Sequence, residues 1–134
     1  MNCYFDVVFC LSSIEHFGQM DGSKRGLAEM GRVLKPGGIL ALTTECIVNG
    51  MPHTSLPNLE LFSPATLDEL LHSSALLKPV EAVDYSISAA TIATSIPLPK
   101  AVKDINRGIV AYPHIVLEID DRQFTSAAAF LVRE

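Results

Sequence analysis

Eight consecutive residues, Tyr4-Phe5-Asp6-Val7-Val8-Phe9-Cys10-Leu11, are almost unbroken in apolar, β-branched and aromatic side chains. Continuous rather than alternating apolarity marks a strand covered on both faces, as in a parallel sheet flanked by helices. A parallel neighbour needs a crossover, and the sequence supplies one. Residues 23–34 place Leu27, Met30 and Leu34 on one helical stripe with Gly31, and Asp21 or Ser23 is the expected cap. Arg25, Glu29 and Arg32 fall on the opposite, solvated side. Lys35-Pro36-Gly37-Gly38 then ends the helix. The lysine suits the negative end of the helix dipole, proline discourages continuation, and the glycines permit a tight turn. Residues 39–44 form a second apolar run. Strand, helix, turn and strand make a βαβ unit, with parallel strands and a right-handed crossover.

Beyond it the pattern changes. Residues 46–62 contain Gly50, Pro52, Pro57 and Asn58 and read as a long loop. Ser63-Pro64 opens a second helix, with Ser as cap and Pro in the first turn. Its stripe is Leu67, Leu70, Leu71 and Ser74, and its expected end lies near Leu77. Residues 80–87 read as a third strand, residues 89–96 have no clear state, and residues 101–107 read as a short helix closed by Gly108. Residues 114–119 alternate as a strand and residues 124–132 read as a last strand, the two forming a hairpin joined by residues 120–123. The expected class is α/β, with parallel strands flanked by helices followed by an antiparallel C-terminal hairpin.

Composition narrows the function. The 134 residues amount to one domain. Ten Lys and Arg against fifteen Asp and Glu give a net charge of −5, so no nucleic-acid partner is expected. No apolar run is long enough for a membrane helix, and no basic segment precedes the first apolar stretch as in a signal peptide. Cys3, Cys10 and Cys46 form neither an even framework nor a zinc-like spacing with the histidines. The expectation is a reduced, cytoplasmic protein without a metal site.

Three segments carry a resemblance. Phe5-Asp6-Val7-Val8, then Ile14-Glu15-His16, then the stretch from Leu27 through Arg32-Val33-Leu34-Lys35-Pro36-Gly37-Gly38 to Leu40 resemble the class I S-adenosylmethionine-dependent methyltransferases. Residues 63–71 add a weaker likeness to the later helix. The resemblance implies a Rossmann-like fold, S-adenosylmethionine as cofactor, and a small-molecule acceptor. It also implies a glycine-rich loop after the family's first strand and an acidic residue that holds the cofactor ribose. This sequence contains no Gly-x-Gly. By the resemblance, residue 4 falls at the family's fourth strand. Residues 1–134 are therefore expected to be a single half-domain, truncated at its N-terminus by three strand–helix units of roughly 30 residues each.

Carried over by position, the resemblance places Cys10, Leu11, Ser12 and Ser13 beside the methionine moiety and the methyl group. Ligands of open α/β sheets bind beyond strand carboxyl ends, which points to the same place. The other reading of Cys10 and Leu11 is ordinary core packing. Glu15 and His16 are weak catalytic candidates: His16 as a base on the acceptor, or both residues as hydrogen-bonding supports of the loop. Alignment of acceptor and methyl supplies much of the rate without a base. His53 stands where such folds place acceptor-binding residues, or is a surface histidine; His72 and His114 read as structural. Cys10 would be a nucleophile only beside a positioned base. The expectation is little activity from this chain alone. Two alternatives stand beside it. One is a non-catalytic module that forms a homodimer through the exposed first strand or bare helix faces. The other is one half of a split methyltransferase.

Overall fold

The computed structural model describes residues 4–51, 59–109 and 116–134. Strand β1 (Phe5–Leu11) leads through one 3-10 turn (Ile14–His16) into helix α1 (Gln19–Val33) and strand β2 (Leu34–Asn49). β1 and β2 are parallel, with Val7 to Leu11 opposite Ile39 to Thr43, so the expected βαβ unit is present. Helix α2 (Pro64–Leu71) and strand β3 (Leu77–Pro79) follow, then α3 (Ala89–Ala93), β4 (Ile96–Pro97), α4 (Leu98–Asn106), β5 (Leu117–Ile119) and β6 (Arg122–Arg133). The sheet runs β1-β2-β6-β5-β4, with β3 against the last residues of β6. β6 is antiparallel to β2 from Val132 opposite Ile39 to Gln123 opposite Asn49.

Several boundaries differ from the sequence expectation, each for a physical reason. α1 begins at Gln19, after Gly18 at φ 93°, and neither Asp21 nor Ser23 caps it. The Ser23 hydroxyl is buried and donates to the Ile14 carbonyl at 2.9 Å. Lys35 to Gly38 is a bulge rather than a chain-reversing turn. Leu34 opposes Phe5 and Ile39 opposes Val7, with Gly37 at φ 78° taking the excess length. β2 does not stop at Thr44, because Cys46 and Ile47 pair with Thr125 and Phe124. α2 ends at Leu71, six residues early. The His72 N–H closes onto the Asp68 carbonyl, and the chain leaves to pair as β3. The third strand therefore lies at 77–79 rather than 80–87, and Val83 and Tyr85 pack against the core from irregular backbone. The hairpin turn is only Asp120 and Asp121, because Ile119 already pairs with Arg122.

The main core lies on one face of the sheet. Leu27 of α1 and Leu67, Leu70 and Leu71 of α2 pack on Leu40, Leu42, Ala129 and Leu131. α2 is fixed at its start by a reciprocal capping box between Ser63 and Thr66. On the other face, Ile47, Leu61 and Phe124 form a small cluster with Leu98 and Leu117 at one end. Over the rest of that face, among the described residues, Phe130 is exposed, Ile39, Thr43 and Val132 are half-buried, and Ala41 is buried. Phe5, Val7, Phe9 and Leu11 are 46–69% exposed, so β1 is covered on one face and not on both.

Candidate functional site

The chain leaves β1 through a constrained turn. Ser12 sits at φ 45°, a left-handed conformation uncommon for a residue with a side chain. Its N–H donates to the Thr43 carbonyl at 3.0 Å and to Thr43 Oγ1 at 3.1 Å. Ser13 Oγ folds back on the Leu11 carbonyl at 3.0 Å. Ile14 is fully buried and Glu15 is 2% exposed, so the 3-10 turn presses its first two side chains into the protein. Thr44 Oγ1 donates to Glu15 Oε2 at 2.9 Å, and the Glu60 N–H donates to the Glu15 carbonyl at 2.8 Å. Together with the Ser23 bond to Ile14, these contacts tie the turn to β2, to α1 and to the segment before α2.

Successive strand residues point to opposite faces. Thr44 turns toward Glu15, and Glu45 turns to the other face, where Ser126 Oγ donates to Glu45 Oε1 at 3.4 Å. Burial pushes the Glu45 carboxyl above its ordinary range, and the Glu15 charge adds to the push. The Ser126 hydroxyl and His16 act in the opposite direction. Burial, and then Glu15, raises the Cys10 thiol. The Cys46 thiol is pushed up to about 11 by burial, with Asp68 and Glu45 adding. Burial and a 2.8 Å hydrogen bond from Tyr85 to Asp68 raise the Tyr85 phenol. Cys46, Tyr85, Ser86, Thr125 and Ser126 line a cleft of about 220 Å³ against the β2–β6 ladder, past the end of β1.

The sequence-derived candidates separate into distinct environments. Cys10 lies in the core beneath the helices, and its raised pKa does not suit a nucleophile. Leu11 and Ser12 are exposed, and Ser13 is half-buried. Glu15 is buried and bonded, while its neighbour His16 is exposed. His53 lies outside the described residues. No three metal-ligating side chains converge among the described residues. Thr44, Glu45 and Ser126 were not singled out from the sequence. The signal was the polar triplet Thr43-Thr44-Glu45 at the end of an apolar run, where a strand approaches the ligand-binding edge.

A family described as a methyltransferase domain matches residues 2–42, which hold β1, its turn, α1 and the first half of β2. Over these residues the chain is similar to that family, whose likeness the first strand, its turn and the following helix carry. Among solved structures, the [4+2]-cyclase SpnF superposes with a TM-score of 0.56 at 19% identity, over 98% of this chain and 51% of that one. This chain thus spans about half the length of that neighbour. No curated protein matches it.

Proposed function

We propose that these residues form the acceptor-side half of a class I methyltransferase. In its complete form the enzyme moves a methyl group from S-adenosylmethionine to a small molecule. The observation that carries this reading is the turn at Ser12. A left-handed, doubly bonded residue closes the carboxyl end of a parallel strand, inside the segment that matches the methyltransferase domain. Strain of this kind clusters at ligand-binding positions. Leu11, Ser12 and Ser13 offer one wall for the cofactor. They do not fit its ribose: the Ser12 N–H and the Ser13 hydroxyl are already bonded within the protein, and Glu15 is turned away. The chain by itself therefore binds the cofactor weakly and turns over little. Glu45 and His16 flank the acceptor side of the turn. The fold alone does not fix the reaction, since the superposing SpnF is named a cyclase.

Titration of the ¹⁵N-labelled chain with S-adenosylhomocysteine tests this reading. Millimolar ligand is expected to shift the amides of Leu11 to His16 and of Thr43 to Glu45, with adenosine as the comparison. Low-micromolar binding would overturn the half-site reading. Unchanged amides at millimolar ligand would overturn the placement.

A further inference from the structure

The outer edge of β6, on the side away from β2, is paired at both ends and open between them. β3 holds Leu131 to Arg133, the Val80 N–H donates to the Phe130 carbonyl at 2.9 Å, and β5 holds Arg122 to Phe124. Successive strand residues direct their backbone groups to alternate sides. Phe130 and Phe124 turn theirs outward, so Ala128 and Ser126 between them do the same. Among the described residues, no backbone hydrogen bond reaches the outward groups of those two. Clefts of about 390 Å³ and 220 Å³ lie beside them, the first against residues 81–84 and the second against residues 84–87.

Residues 80–87 leave the ladder but keep the habit of a strand. Val83, Tyr85 and Ile87 are half-buried, while Ala82, Asp84 and Ser86 are exposed. The same two-residue period begins in β3, with Leu77 buried and Lys78 exposed; Glu81 departs from it. Val83 and Tyr85 pack on the main core, the side of β6 that Ala127 and Ala129 face. Extending the register of β3 places Glu81, Ala82, Val83 and Asp84 opposite Ala129, Ala128, Ala127 and Ser126. Val83 then meets Ala127 on the core side, so it keeps its face. Pairing stops at Ser126, because Phe124 already belongs to β5.

We infer that residues 81–84 are a strap that closes onto the outer edge of β6, exchanging between the released position of this structure and a paired one. Closure forms two hydrogen-bonded pairs, Ala82 with Ala128 and Asp84 with Ser126, and fills the clefts between them. The released position has ties of its own. The Tyr85 hydroxyl donates to Asp68 Oδ1 at 2.8 Å, and the Ser86 N–H donates to Asp84 Oδ1 at 2.9 Å. The second is a local side-chain turn, which competes with a ladder for the same backbone. A ligand in the clefts and a paired strap exclude each other, so the strap controls occupancy of the clefts. The inference stands on the register of β3 and β6 and is independent of the methyl-transfer reading.

Position and length select this occupant. The open stretch, residues 126–128, spans roughly 10 Å at ~3.4 Å per residue, short of the room that a separate added strand needs. The strap is already tethered at Val80, next to the first pair it would form, so closing it orders little additional chain. An unpaired edge is a template for any extended segment, and its own neighbour reaches it first. The edge also faces away from β1 and β2, opposite to the side on which the family's other half extends the sheet.

Native-state hydrogen exchange of the ¹⁵N-labelled full chain reads the Ser126 and Ala128 amides. The amides of Ala127 and Ala129, which pair with β2, report that each variant is folded. Asp84→Val removes the side-chain turn and supplies a strand former. Ala82→Pro removes the N–H offered to Ala128 and puts proline where a paired strand excludes it. Protection of Ser126 and Ala128 is expected to be at least tenfold higher in Asp84→Val than in Ala82→Pro, with wild type between them. In a Cys3→Ser chain, Glu81→Cys with Ala129→Cys should form a disulfide under oxidised glutathione, because the closed register brings their Cα atoms to ~4.5 Å. Equal exchange in the two variants overturns the inference, and so does absence of the disulfide. Protection that rises with chain concentration would mark pairing with another molecule and would overturn it too.

Discussion

Replacing Thr44 by valine isolates the contact that holds the turn after β1. Valine keeps the β-branched shape that β2 favours and adds one buried methyl, worth about 0.8 kcal/mol. It removes the hydroxyl that donates to Glu15 Oε2 at 2.9 Å, at a site where Thr44 is fully buried and Glu15 is 2% exposed. A hydrogen bond to a charged group contributes about 1.5–3 kcal/mol, and a buried acceptor left without its partner cannot turn to water. The loss therefore exceeds the gain, and the net destabilisation is about 1–2 kcal/mol. For a chain of this length, 1 kcal/mol corresponds to roughly 4 °C in Tm, so the expected fall is about 4–8 °C. Urea unfolding measures the free energy and thermal unfolding the Tm, both followed by circular dichroism at fixed protein concentration. Glu15→Ala and the double variant complete a cycle whose coupling should reach about 1 kcal/mol, because both changes remove the same bond. A Thr44→Val protein within 0.5 kcal/mol of wild type, or a cycle that simply adds, would refute the view that Glu15 anchors the turn.

Two further perturbations read the electrostatics. Glu45 binds its proton more tightly in the folded chain, since burial and then the Glu15 charge raise its carboxyl. Its contribution to stability is thus present in acid and is lost as pH rises through the folded-state value. The Tm difference between Glu45→Gln and wild type should be more favourable to the variant at pH 8 than at pH 4; equal differences would count against the assignment. The Cys46 thiol, 1% exposed and pushed up to about 11, should resist alkylation at pH 8, as should the buried Cys10. A Cys3→Ser chain is expected to show no fast thiol with Ellman's reagent when folded and two in urea, whereas a rapid folded-state reaction would contradict the burial.

Local patterns made much of the fold readable. The Leu27, Met30 and Leu34 stripe located α1, and Ser63-Pro64 located the start of α2, because periodicity and caps act within one or two turns. Elements made by distant pairing were not readable. Cys46 to Asn49 belong to β2 because Gln123 to Thr125 lie against them, and the glycine and prolines nearby pointed to a loop. The start of α1 was missed for a related reason. Ser23 has a capping side chain, but its hydroxyl holds the Ile14 carbonyl of the preceding turn. At the site, Glu15 was visible as a motif residue, whereas Glu45 and Ser126 meet only because β2 and β6 pair in this register.

The disagreement over β1 carries the most information. Its near-continuous apolarity specifies cover on both faces, and in the structure only Val8 and Cys10 receive it, beneath the helices. Phe9 at 69% exposed is the most open of the large apolar side chains on that strand. A natural sequence is locally consistent with its environment, and departures from that consistency gather at functional surfaces. The outer side of β1 is therefore where the sequence and the described cover disagree. It is also separable from the turn. Glu15 and Thr44 meet on the helix-covered side of β2, while Ala41 and Thr43 lie on the other face of that strand. A Thr44→Val substitution should thus loosen the turn without disturbing the outer residues of β1.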